Sequence, residues 1–355
     1  MSAIVLWFVA VSFLPRSRAV PSGDAVVLRE FICDSMPTPQ CHASTIAESH
    51  GRLVAAWFGG EYEHHPGVGI WVSQRTEGGW TKPVEVANGV QSDGTRFPCW
   101  NPVLFQPRQG PLMLFYKAGA SPSAWWGMLM TSDDGGEHWS SPRRLPGGVI
   151  GPVKNKPVEC GDGLLVCPSS TEDHGWEVRC ETTGDGGVTW KVTGPLNDTA
   201  AIQAIQPTFV RGKDGEIIAL GRTKQQKMFF MRSSDCGSSW SPMRLVDVPN
   251  PNSGIDAAGL CDGRILLVYN HATGSAEHWD AGRDVIDVAM SSDGIHWSKE
   301  LELEREAGKE FSYPAVIQTS DGLVHITYTW KRTKIRHVIL NPSSIGSIPF
   351  VKRKT

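Results

Sequence analysis

Several things are scarce in this chain of 355 residues, and each scarcity excludes something. No sign of charge dominates: 34 Lys and Arg face 37 Asp and Glu. That leaves no basic surface of the kind nucleic acid needs, and no acidic tail. There is no Cys-x-x-Cys pair among the 8 cysteines, which argues against a zinc site. An even cysteine count permits disulfides, and buried free thiols are the plainer expectation. No metal-ligand cluster stands out, so no cofactor is expected. Long hydrophobic runs are missing too. The one run, Ala3–Leu14, is too short to span a bilayer and fits the core of a secretory leader, although no Lys or Arg precedes it. Residues 1–22 are therefore expected to be a leader and residues 23–350 a single domain. The expected location is secreted or the secretory lumen, and otherwise the cytoplasm. Asn197-Asp198-Thr199 is a glycosylation sequon that matters only if the chain is secreted. Tyrosine is rare, at 5.

What is abundant is punctuation: 38 Gly, 24 Pro and 14 Trp. Such a composition makes many turns and many short strands. A motif repeats along it: Ser132–Trp139 "SDDGGEHW", Thr183–Trp190 "TGDGGVTW", Ser233–Trp240 "SSDCGSSW" and Ser291–Trp297 "SSDGIHW". A worn copy, "SQRTEGGW", ends at Trp80. The pattern is Ser/Thr-x-Asp-x-Gly-x-x-Trp. Its Asp can accept turn N–H groups, its Gly can take positive φ, and its Trp can fold back as an apolar plug. The tryptophans recur at intervals of roughly fifty to sixty residues, the length of one propeller blade. Five such units plus residues 310–340 predict an all-β, six-bladed β-propeller. "LMLFYKA", "GEIIALGR", "RILLVYNH" and "LVHITYTW" read as its strands.

This repeat is the Asp-box, and the sequence resembles the sialidase superfamily over roughly residues 25–340. In that family the boxes are structural and lie away from the active site. The resemblance implies three arginines around a substrate carboxylate, a tyrosine nucleophile backed by a glutamate, and an aspartate acid/base. "SYPAVIQTSDG" places Tyr313 at the nucleophile position, "RDVIDVAMSSDG" offers Arg283 and "QPTFVRGKDGEIIALGR" offers Arg222. Two arginines ending apolar strands could form a bidentate carboxylate clamp. The departures are as informative. Gln206 stands where the glutamate belongs, and can orient a phenol but not deprotonate it. "CHAST" puts His42 at the first-arginine position. The acid/base region reads "EHHPGVGIW", offering Glu63, His64 and His65 but no aspartate.

Three functions fit these residues. A sialidase-like glycosidase would use Tyr313 as nucleophile, Arg222 and Arg283 as clamp, and His64, His65 or Glu63 as acid/base on a sialic or uronic acid-containing glycan. A uronate lyase would use His42 with His64 or His65 to take a C5 proton and protonate the leaving oxygen. A non-catalytic propeller would bind glycan through Trp100, Trp125, Trp126 and Asn101. "GPVKNKPVE", "NPNSGIDA" and "YNH" add Lys154, Asn155, Lys156, Asn252, Asp256, Asn270 and His271 at strand ends. From these, Lys154, Lys156 and Asp256 join the arginines as candidate substrate ligands. The expected partner is an acidic glycan, with no nucleic acid and no membrane span.

Overall fold

The computed structural model describes residues 25–345 apart from 162, 276, 277, 279 and 280; the expected leader and the basic tail lie outside these residues. Six antiparallel sheets stand around one axis, five of four strands and the first of five. Each blade begins at its innermost strand and works outward. The inner strands, in blade order, are Gln40–Ser49, Cys99–Phe105, Val158–Cys160, Ala204–Arg211, Asp256–Gly259 and Phe311–Gln318. The second strands, such as Leu112–Ala118 and Ile265–Tyr269, are buried along their whole length because they have sheet on either side. Blade 6 takes its outermost strand from the other end of the chain, where Val26–Phe31 pairs with Lys334–Leu340. That pairing closes the ring. No helix is long and apolar enough to cross a membrane.

The repeated motif welds each blade to the one before it. In the box of blade 2, Asp134 Oδ1 accepts from Ser132 Oγ and from the N–H groups of Glu137 and His138, at 2.8 to 3.0 Å. Those bonds hold the carboxyl well below its usual range, so the repeated aspartates are turn staples. Trp139 Nε1 donates to Gly136 O. Gly136 sits at φ +93, and a Cβ there would lie 3.2 Å from Val54 of blade 1. In blades 3, 4 and 5 the same glycine faces Leu129, Val166 with Cys180, and Ile218 of the preceding blade. Glycine therefore serves both the turn and the fit between blades.

The worn first box behaves differently. Trp80 Nε1 donates to Glu30 Oε1, on the closing strand, rather than to a turn carbonyl. Glu30 also takes Arg75 Nε and His337 Nδ1, and His337 Nε2 meets His325 Nδ1 at 3.0 Å. A polar chain thus crosses three strands of blade 6 where the ring closes. All 8 cysteines are free thiols. Asn197 is buried; its Nδ2 donates to Trp176 O and Ile202 O and its Oδ1 accepts from Val178 N. A glycan at this sequon would break those bonds.

Burial pushes His325 down from 6.5 to about 4, with His337 adding to the shift, while the hydrogen bonds of His337, Arg75 and Trp80 bring Glu30 to about 2 against its burial. The unfolded chain binds the His325 proton at higher pH than the folded one. Stability is therefore complete above pH 6.5 and falls as pH drops from there towards 4, by roughly 3 kcal/mol for His325 alone. Glu30 extends the loss below its ordinary 4.5. Urea midpoints measured from pH 7.5 to 4 should show this fall, and His325→Gln should flatten it.

Candidate functional site

Proline spacing and backbone strain build the site. Asn101, Gln206 and Tyr313 each precede a proline on an inner strand, and each has positive φ: 37°, 52° and 52°. Ala43, next to His42, matches them at 53°. At each position the register with the second strand slips, a β-bulge. A bulge turns a side chain out of the alternating pattern, and strain of this kind clusters where a fold holds a functional group. Four inner strands thus distort at the same height, the end away from the Asp-boxes.

Tyr313 is the centre. Its hydroxyl accepts from Arg222 Nη1 at 2.9 Å and from Gln206 Nε2 at 3.5 Å. Arg222 Nη1 also reaches Gln206 Oε1 at 3.2 Å, and its Nε donates to Asn252 Oδ1 at 2.8 Å. Three cations stand around the phenol ring. Lys154 Nζ lies 5.8 Å from its centroid, and the guanidinium carbons of Arg283 and Arg222 lie 5.9 and 6.0 Å away. Arg222 is buried and all its hydrogen-bond partners among the described residues are neutral. A buried guanidinium in that position is suited to an anion.

His42 packs on the other side of Tyr313, with ring centroids 4.2 Å apart. Thr329 Oγ1 accepts the Ala43 N–H at 3.2 Å and lies 2.9 Å from His42 Nδ1. Burial, then Arg332, Arg283, Lys154 and Arg222, keeps His42 neutral well below its usual range. Arg332 is a site residue that sequence reasoning missed. It sits at φ 60° in the hairpin turn that follows the strand Val324–Trp330, and its carbonyl accepts from Cys41 N, next to His42. Its Nε reaches Glu310 at 2.7 Å and its Nη1 reaches Glu63 at 2.5 Å. Glu310 also takes Arg283 Nη1 at 3.3 Å and Ser312 Oγ at 2.6 Å. These cations outweigh its burial and keep it ionised. A turn arginine thus stands beside the histidine that replaced the strand arginine. The only signal for it was "WKRTK", which reads as an ordinary polar hairpin turn.

The remaining candidates fall into two groups. Lys154, Lys156 and Asp256 are held in internal bonds. Lys154 Nζ donates to Asn155 Oδ1, Ile255 O and Pro314 O; burial lowers it to about 7, partly offset by Asp256. Asp256 takes Lys156 Nζ at 2.9 Å, Thr208 Oγ1 at 2.7 Å and Val316 N at 2.8 Å, tying four blades together. The loop candidates separate as well. His65 Nδ1 accepts from Gly67 N, and Glu63 pairs with Arg332. His64, exposed and at φ 77°, has its ring 4.6 Å from Trp100. Asn101 follows Trp100 in the chain, and its side chain is buried. Trp100 also meets Trp125 at 6.1 Å, while Trp126 pairs with Phe97 and Arg144. A second residue that sequence reasoning missed is Glu172. Its carboxyl is raised by burial, against the pull of Arg222 and Lys224 and a bond from Trp176. A carboxyl whose hold on its proton is strengthened by burial is suited to proton donation.

The fold and this axial cluster define a divergent sialidase-type propeller. The chain belongs to the BNR repeat-like domain family, whose model matches residues 51–326. Among solved structures it is similar to a protein of unknown function from Dyadobacter fermentans, at 17% identity and TM-score 0.72, covering 89% of this chain and 98% of that one. It is similar to the NanB sialidase of Streptococcus pneumoniae, at 12% identity and TM-score 0.71, covering 92% and 72%. It is also similar to the intramolecular trans-sialidase of Ruminococcus gnavus, at 13% identity and TM-score 0.69, covering 90% and 98%. At such identities the likeness is one of fold. No curated protein matches in sequence.

Asp256→Ala would strand the Lys156 cation and the Val316 N–H. The loss should be roughly 3 kcal/mol or more, the usual cost of breaking a buried pair. Urea denaturation measures it. A variant of full stability with weakened glycan binding would instead make Asp256 a ligand.

Proposed function

We propose that this protein is a glycoside hydrolase acting on an acidic glycan, with Tyr313 as nucleophile. The observation that carries the reading is Arg222, a buried guanidinium that donates to the Tyr313 hydroxyl and, among the described residues, hydrogen-bonds to no carboxylate. Arg222 and Arg283 receive the carboxylate of a sialic or uronic acid. Arg222 and Gln206 donate to the phenol oxygen and so favour negative charge developing there. A neutral phenol is a nucleophile that a substrate carboxylate does not repel. His42 supports the phenol by stacking. As the phenol oxygen bonds to the anomeric carbon, its proton passes to solvent water, Tyr313 being only half-buried.

The acid comes from the rim. Glu63 is tied to Arg332 and His65 to its own turn, so His64 and Glu172 are the groups left to donate a proton. Trp125, half-buried and packed against Trp100, offers a face for the leaving sugar.

Mass spectrometry of the products from aryl sialosides and uronic acid-containing oligosaccharides tests the class. The expected product is a hydrated acidic sugar. A product lighter by one water would mean elimination, and binding without turnover would mean a lectin-like propeller. Tyr313→Phe should lower kcat by about a hundredfold or more with little change in KM, as loss of a nucleophile does. Arg222→Met should raise KM and lower kcat/KM by at least about tenfold. The acid is whichever of His64→Ala and Glu172→Gln impairs natural glycans while sparing 4-nitrophenyl glycosides, whose leaving group needs no proton.

A further inference from the structure

A cavity of about 770 Å³ lies on the opposite face from Tyr313, at the Asp-box end between blades 1 and 6. Its walls include Glu48, Arg52, Arg75, Glu77, Asp321 and His325. A space of this size accepts a small organic molecule.

The polar chain behind the cavity fixes the hydrogen positions at its wall. Glu30 is ionised, so it accepts from His337 Nδ1–H at 2.9 Å. Neutral His337 has no second proton, so its Nε2 is a lone pair that accepts from His325 Nδ1–H at 3.0 Å. Neutral His325 is then bare at Nε2, which has no hydrogen-bond partner among the described residues. The side chain is 5% exposed and that exposure is to the cavity. The two rings are nearly parallel, 13° apart with centroids at 5.2 Å, which holds the chain in line. The carboxylate fixes the tautomer of one histidine, and that histidine fixes the next.

Charge gives the ligand class. Both arginines of the cavity are already paired, Arg52 with Glu137 and Arg75 with Glu30, each at 3.0 Å, and neither acid lines the cavity. Among the described residues, Glu48, Glu77 and Asp321 of the lining form no ion pair with an arginine or lysine. Glu48 accepts from Ser320 N and Oγ, and Asp321 from Thr319 Oγ1 and Leu323 N, so both are held as acceptors. The groups that act electrostatically on His325 are His337, Asp321, Arg75 and Glu30. The wall is rich in acceptors and net negative.

We propose that this cavity is a second ligand site, distinct from the axial one, that takes a small organic ammonium compound whose N–H group donates to His325 Nε2 while the carboxylates balance its charge. Putrescine is the probe, with 1,4-butanediol as the neutral molecule of the same shape. In protein labelled with ¹⁵N-histidine, NMR should show His325 protonated at Nδ1 and bare at Nε2. Putrescine should shift the His325 resonances saturably, and butanediol should not. His325→Phe, which keeps an aromatic ring but removes the lone pair, should weaken putrescine by at least about tenfold, the worth of one hydrogen bond to a charged group. Glu77→Gln, at an exposed turn that cannot upset folding, should weaken it severalfold. A His325 proton found on Nε2, equal binding of the diol, no saturable binding, or an affinity indifferent to Glu77→Gln would each overturn the proposal.

Discussion

Three cations at almost equal distance from one phenol ring set the terms for the rest of the axial site. Lys154, Arg283 and Arg222 surround Tyr313, and Arg332 adds a fourth positive group beside His42. Removing charge from water is expensive unless partners replace the hydration. The fold supplies those partners unevenly. Glu310 serves Arg283 and Arg332, and Asp256 serves Lys156 and acts on Lys154. Arg222 receives only an amide, a phenol and another amide. The imbalance falls where a ligand would touch the tyrosine, and it keeps His42 neutral.

The propeller makes this crowding tolerable by spreading the work over blades. Tyr313 comes from blade 6, Gln206 and Arg222 from blade 4, Arg283 from blade 5 and His42 from blade 1. Blades 1, 2, 4 and 6 each contribute one distorted position near the start of the inner strand. The glycines of the Asp-boxes, at the far end, leave no room for the blades to slide against each other. Rigid packing at one end lets the other carry strain and unbalanced charge. The two ends also use histidine differently. Burial keeps both neutral first, but the cations around His42 add to the effect there, whereas His325 stands in a hydrogen-bonded chain anchored on Glu30.

Much of the architecture was legible because its determinants are local. The box pattern announces a turn through chemistry that acts within eight residues, and its recurrence gives the blade count. Tyr313, Arg222 and Gln206 were singled out through the resemblance to sialidases, and the structure brings the three into contact. The X-Pro steps at Asn101, Gln206 and Tyr313 carried a further signal, since a proline early in an inner strand marks the bulge. What could not be read was anything made by two distant blades. Arg332 looked like a turn residue because its role depends on Cys41 and His42, almost three hundred residues away in the chain. Lys156 and Asp256 looked like ligands because nothing local reveals that they face each other. The closing strand Val26–Phe31 gave no sign of its partner at the other end of the chain.

The sequence by itself therefore determined the repeat and the fold class, because turn chemistry and strand period are properties of neighbouring residues. Only the tertiary structure decided which polar groups are already satisfied. It paired Glu63 with Arg332 and Asp256 with Lys156, gave Arg222 only neutral hydrogen-bond partners among the described residues, and lined up His325 and His337 on Glu30. Whether a side chain is available for chemistry depends on what fills its hydrogen bonds and neutralises its charge, and in a propeller those partners come from other blades.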